Sequence, residues 1–133
     1  AMTRRAVGRQ IGALPDDASH PFLARKSAGF AFSGSWSVRL SSGGHHSNHI
    51  HPEGWISAVY YVAVPPAVGD GQSGWLKFGE TGLNLGDREQ ILHMVCPQPG
   101  LLVLFPSYFY HGTVPFADTQ HRTTIAFDIV PSG

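Results

Sequence analysis

The chain is short of several things. It has one cysteine, Cys96, which excludes an internal disulfide and suits a reducing compartment. Cys96 sits in a strand-like stretch and reads as a buried, inert thiol. Charge is sparse and balanced, with nine Lys/Arg against nine Asp/Glu, together 14% of 133 residues. Nucleic-acid binders carry a basic surplus, and none exists here. No apolar run reaches the ~18 residues of a membrane span. The first residues are basic with no apolar stretch behind them, so the pattern is not that of a secretory leader, and the cytoplasm is the default location. Repeats and low-complexity tracts are absent, and the length suits a single domain.

The charges that are present are unevenly placed. Six of the nine basic residues lie at or before Arg39, and seven of the nine acidic ones lie after it. Arg4, Arg5 and Arg9 read as a solvated or frayed arm, although a chain cut from a longer protein would look the same. A short helix packing on a sheet is expected somewhere between Gln10 and Lys26. Residues 1–35 are therefore expected to form a short N-terminal arm or helix, packed on a β domain over 36–131.

Glycine and proline are plentiful, sixteen and ten, in short clusters between β-branched and aromatic runs. Those runs are Trp36–Ser42, Asn48–His51, Trp55–Val64, Trp75–Gly79, Gln90–Cys96, Leu101–Phe105, Tyr110–Val114 and Arg122–Val130. Eight short strands with turns such as Gln98-Pro99-Gly100 predict an all-β double-stranded β-helix, a cupin-like jelly roll. Gly82–Glu89 reads as a loop or a helical turn. Trp55–Val64 is apolar at nearly every position, as a strand buried on both faces would be. In the last run Arg122, Thr124, Ala126 and Asp128 share one face, the more polar one.

Histidine carries the chemistry. His49 and His51 lie one residue apart and so share a strand face, and His111 follows the apolar run Leu101–Phe105 and a Pro106-Ser107 turn. Two ligands from one strand and a third from a distant one make a facial metal site, the geometry of non-haem Fe(II) oxygenases. Histidine-rich sequence at Gly43-Gly44-His45-His46 could equally be a surface loop, and imidazole alone does not choose between Fe, Zn, Ni and Cu. Arg122, on an inward face, needs an anion, because an unpaired buried guanidinium is costly. Asp118 or Asp128 could supply it, as could the carboxylate of a bound acid, with Tyr60 and Thr124 adding hydroxyls. Arg39, His46 and Trp55 are expected to rim the mouth of the site, which would suit an anionic or polar substrate with a flat apolar part. The Gly43-Gly44 pair would let that loop close.

Taken together, Gly34–Leu40, His49-Ile50-His51-Pro52-Glu53-Gly54-Trp55 running into Tyr60-Tyr61-Val62, Pro99–Ser107 with His111, and Arg122–Asp128 resemble the 2-oxoglutarate/Fe(II) oxygenases of bacteria and phages. Some members carry this domain behind tetratricopeptide repeats. The resemblance covers about Ser33 to Pro131. It implies Fe(II) and 2-oxoglutarate as cofactors, and hydroxylation of a small molecule or a protein side chain. It also implies metal ligation by His49, His51 and His111, and co-substrate binding by Arg122 and the first tyrosine of the pair, Tyr60. Relatives use His-x-Asp or His-x-Glu where this chain has His49-x-His51. A His51-Pro52-Glu53 register is the alternative. The rival readings are a three-histidine cupin-type enzyme that uses no 2-oxoglutarate and a non-catalytic ligand-binding jelly roll. The oligomeric state, including a homo-oligomer, stays open.

Overall fold

The computed structural model describes residues 2–27, 29–40, 50, 53–65, 71–81, 83, 86–115 and 122–132, with backbone only at 2, 3, 36, 38–40 and 88. Among the described residues one α-helix precedes seven strands: α1 (Met2–Ala13), β1 (Gly29–Leu40), β2 (Ile56–Ala63), β3 (Leu76–Phe78), β4 (His93–Val95), β5 (Leu102–Pro106), β6 (His111–Thr113) and β7 (Arg122–Ser132). The strands form two antiparallel sheets, ordered β1-β7-β2-β5 and β4-β3-β6. Two facing sheets whose chain crosses between them make the expected jelly roll. The eighth expected strand, Asn48–His51, lies outside the described residues apart from Ile50.

The N-terminal expectation is met as a helix rather than as an arm. The basic start, expected to be solvated or frayed, is helical from Met2, and only its last turn overlaps the Gln10–Lys26 stretch expected to hold a helix. Arg4, Val7, Ile11 and Leu14 fall at helical spacing and make one stripe. Val7 and Ile11 are buried against Phe22, Trp55, Ile56, Ala58, Phe127 and Ile129, with Leu14 packed beside them. Burying each of those two aliphatic side chains stabilises the fold by about 1.5–3 kcal/mol. Arg4 lays its guanidinium over the rings of Phe30 and Phe32, at 4.9 and 5.3 Å. Between Gln10 and Lys26 the chain leaves α1 and makes only a short 3-10 turn at Leu23–Arg25. The expected junction at 35/36 falls inside β1, which runs unbroken through the register from Gly29 to Leu40 apart from one shift near Phe32. A further 3-10 turn at Gly86–Arg88 sits in the stretch expected to hold a loop or a helical turn.

Register assigns the faces. Ile56 pairs with Ile129 and Ala58 with Phe127, and these point at α1. The intervening residues point the other way, into the space between the sheets. From one end of the sandwich to the other, the inward levels of the first sheet are Phe105–Ser57–Asp128, then Val103–Val59–Ala126, then Tyr61–Thr124, and last Arg122. The second sheet answers with Phe78–His111 at one level and Leu76–Thr113 at the next. Leu76, Phe78 and Phe105 form the buried cluster between the sheets. Trp55–Val64 is thus buried on both faces only over its first half, since Val62 and Ala63 are exposed.

Candidate functional site

Arg122 opens β7 on the inward face and is 2% exposed. Its Nη2 donates a long hydrogen bond of 3.4 Å to the Tyr61 hydroxyl, and its guanidinium lies 5.2 Å from that ring. Nε and Nη1 are buried with no partner among the described residues. Asp128, one of the anions considered for it, accepts instead from Ser57 Oγ at 2.7 Å. Asp118 lies outside the described residues. Thr124 is buried on the same face, directly opposite Tyr61. Burial of the Tyr61 hydroxyl raises its pKa above the ordinary tyrosine value, and the nearby Arg122 charge partly offsets this. A neutral phenol, a threonine hydroxyl and a cation with unused donors form a pocket end that suits a carboxylate.

Here the tyrosine assignment changes. The hydroxyl beside Arg122 belongs to Tyr61. Tyr60 pairs with Ile125 and Leu102 and so takes the face toward α1. Adjacent strand residues point to opposite sides, so only one of the two can meet Arg122.

His111 opens β6 and is buried, its ring 4.6 Å from that of Phe105 and 6.5 Å from that of Phe78. Its Nδ1 lies 3.0 Å from the Phe109 carbonyl oxygen. A carbonyl can only accept, so Nδ1 carries the proton and the lone pair of the neutral ring is on Nε2. This is how ligating histidines are commonly oriented. His111 therefore sits at the Phe105–Ser57–Asp128 end, with the Val103–Val59–Ala126 level between it and the Tyr61–Thr124 pair. His46, His49 and His51 lie outside the described residues, and no cluster of three potential ligands exists among the described ones. Glu53 is exposed.

Two substrate-side expectations fare differently. Trp55 does not rim a mouth. It is 1% exposed, its indole N–H donates to the Phe22 carbonyl at 2.8 Å, and it packs against the Phe22 ring at 5.3 Å, in the core beneath α1. A large apolar ring whose single donor finds a backbone carbonyl is better satisfied there than at a wet rim. Arg39 pairs in register with Thr123, and its side chain lies outside the described residues. Cys96 is half-buried, not buried.

One polar cluster escaped the sequence reading. Ser57 and Ser107, both buried, share a 2.9 Å hydrogen bond, and Ser57 donates on to Asp128. Gly54 passes so close that an added Cβ would lie 2.5 Å from Ser107 Oγ and 3.5 Å from Asp128 Cγ. The inward parity of Asp128 was readable from β7. The partner strand's phase was not.

Comparison with known proteins bears on the family and the fold. Residues 34–128 match a family described as "Putative 2OG-Fe(II) oxygenase". A Burkholderia pseudomallei oxidoreductase of the 2OG-Fe(II) oxygenase family superposes with a TM-score of 0.61 at 11% identity, over 78% of this chain and 46% of that one. A Pseudomonas putida prolyl-4-hydroxylase superposes with a TM-score of 0.53 at 22% identity, over 74% of this chain and 51% of that one. The chain thus spans about half the length of each, and at these identities the likeness speaks for the fold. No curated protein matches the sequence. No helix among the described residues is long and apolar enough to cross a membrane. With the family match running through β1, β2, His111, Arg122 and on to Asp128, the chain belongs to the 2OG-Fe(II) oxygenase family.

Proposed function

We propose that this chain is an Fe(II)- and 2-oxoglutarate-dependent dioxygenase that hydroxylates an organic substrate. The observation that carries the reading is Arg122, a fully buried guanidinium whose Nε and Nη1 have no partner among the described residues. Leaving such donors buried is unfavourable unless an anion joins them. 2-Oxoglutarate would supply a carboxylate for the Arg122 end and a keto acid for the metal.

The donor set fits the cofactors. His111, together with His49 and His51, would hold Fe(II), a metal that imidazole nitrogen suits. Bound iron and keto acid supply the oxygen activation. The protein's own residues position and shield. Arg122 binds the far carboxylate through its fork, and Tyr61 and Thr124 donate hydroxyl hydrogens to it. The Phe109 carbonyl holds the His111 ring in the tautomer that leaves Nε2 as the donor. Val59, Val103 and Phe105 form an apolar sleeve between the two ends and keep water away from the reacting centre.

The test is an anaerobic Fe(II) titration with and without 2-oxoglutarate. Keto-acid chelation to iron gives a weak visible charge-transfer band. Its appearance only with both additions supports the reading. Its absence, at iron loading that other spectroscopy confirms, would sink it.

A further inference from the structure

The sleeve residues Val103 and Phe105 also border a second feature. A cavity of about 590 Å³ opens between β4 and β5, which are the outer strands of their sheets among the described residues. Its inner walls are Phe78, Val95, Val103 and Phe105, and the β5–β6 connection contributes Tyr108 and Phe109. The lining holds no Lys, Arg, Asp or Glu, and its polar members are His93 and the hydroxyls of Tyr108 and Tyr110. Tyr108 and Phe109 remain 52% and 40% exposed, and Leu92 at the lip is 76% exposed. Large aromatic and aliphatic side chains held in water around a concavity mark a binding site.

We infer that this groove is the substrate site and that it takes an uncharged, ring-sized apolar group, placed with a C–H bond toward His111. The inference rests on the oxygenase reading and adds the substrate class to it. The geometric reason is continuity. Phe105 and Phe78 line the groove, and the same two rings pack against the His111 ring, with centroids 4.6 and 6.5 Å away. The two ends of the interior therefore differ in kind. Arg122 provides the charged end for a dicarboxylate, whereas the groove offers no described charge to an anion. A carboxylate pressed against Phe78 and Phe105 would lose its hydration with nothing to replace it. The expected anionic character of the substrate gives way to its flat apolar part. The volume lies within the range of drug-sized ligand pockets, and the concave shape fits a small molecule better than a second copy of the chain.

The experiment compares two probes of one shape, 2-naphthol and 2-naphthoate, by fluorescence titration of the full chain without iron or 2-oxoglutarate. Naphthol is expected to bind at least about tenfold more tightly than naphthoate, a difference of about 1.4 kcal/mol. Phe109→Gln, at an exposed rim position, should weaken naphthol binding at least threefold without changing the thermal midpoint. Arg122→Ala should leave naphthol binding as it is. Equal or tighter binding of naphthoate would overturn the inference. So would indifference to Phe109→Gln, or sedimentation showing that a second copy of the chain excludes the probe. Because iron and 2-oxoglutarate are left out, naphthol binding without the keto-acid band would refute only the oxygenase reading. The band without naphthol binding would refute only the groove.

Discussion

The Arg122 guanidinium lies 5.2 Å from the Tyr61 ring and reaches its hydroxyl with one nitrogen, and the other two nitrogens are buried without partners among the described residues. A protein held together for stability alone would not keep such a group. Replacing Arg122 by Ala should weaken 2-oxoglutarate binding by about 2–5 kcal/mol, the usual worth of a desolvated charge-assisted contact. Lysine should rescue little, because an ammonium cannot reproduce the fork. Arg122→Met should raise the thermal midpoint of the ligand-free protein by roughly 3 °C or more while abolishing 2-oxoglutarate binding. Calorimetry with and without 2-oxoglutarate reads both effects. A destabilised ligand-free Met variant would show that Arg122 is structural.

Tyr61 and Tyr60 separate cleanly by substitution. Tyr61→Phe should lower 2-oxoglutarate affinity by about 0.5–1.5 kcal/mol, the net value of one hydrogen bond, and Tyr60→Phe should stay within about 0.5 kcal/mol of wild type. Tyr61 also predicts a pH effect. Burial raises its pKa in the folded chain above the unfolded value of about 10. Above that pH the unfolded chain loses a proton that the folded chain keeps, so the contribution is fully present below pH ~10 and is lost as pH rises toward the folded pKa. Urea midpoints from pH 8 to 11 should fall more steeply in wild type than in Tyr61→Phe.

That pair shows what was legible and what was not. The jelly roll could be read because strands broken by Gly/Pro turns recur at even spacing. Arg122 could be read because β7 alternates between polar and apolar residues. The phase of β2 could not be read. Its run is apolar at both parities, with tyrosines at adjacent positions, and only pairing with β7 decides which one turns inward. The helix was hidden for a related reason. Gly8 and Gly12 dilute its helical propensity, and its stripe begins with an arginine whose place on Phe30 depends on a strand distant in sequence.

Trp55 should behave as a core residue. Trp55→Ala should cost about 3–5 kcal/mol. Trp55→Phe, which leaves the Phe22 carbonyl without its donor, should cost about 1–3 kcal/mol. Per folded molecule, 2-oxoglutarate turnover by Trp55→Phe should match wild type. A folded Trp55→Phe with altered substrate coupling would return Trp55 to the rim.

Gly54 tests the Ser57–Ser107–Asp128 cluster. An alanine Cβ would enter the space of Ser107 Oγ, which is fully buried and hydrogen-bonded to Ser57. Gly54→Ala should destabilise by about 1–3 kcal/mol, as overpacking does. The double variant Gly54→Ala with Ser107→Gly should recover part of that loss in chemical denaturation. Simple additivity would mean that the clash is relieved elsewhere.

The metal ligands give the last test, which also decides the register of the His49-Ile50-His51-Pro52-Glu53 segment. Altering groups that only support a ligand typically costs 10–100-fold in metal affinity, so loss of a true ligand should exceed about 100-fold. Asparagine substitutions at 49, 51 and 111 keep size and polarity, which matters for buried His111 against Phe105. Each should abolish stoichiometric Fe(II) binding, read by metal analysis after anaerobic gel filtration, with the thermal midpoint of the metal-free chain as the control for folding. Glu53→Gln should bind iron normally, as suits an exposed side chain outside the triad. If Glu53→Gln loses the metal and His49→Asn keeps it, the ligands are His51, Glu53 and His111, and the chain carries the family's His-x-Glu pattern after all. A three-histidine set would leave the site one negative charge poorer than His-x-Glu. It should then hold Fe(II) less tightly in the absence of 2-oxoglutarate and gain more from that dianion when it binds. Fe(II) affinity measured with and without 2-oxoglutarate, in wild type and in His51→Asp, reads that difference directly. The aspartate variant should bind iron more tightly alone and show the smaller gain on adding the keto acid.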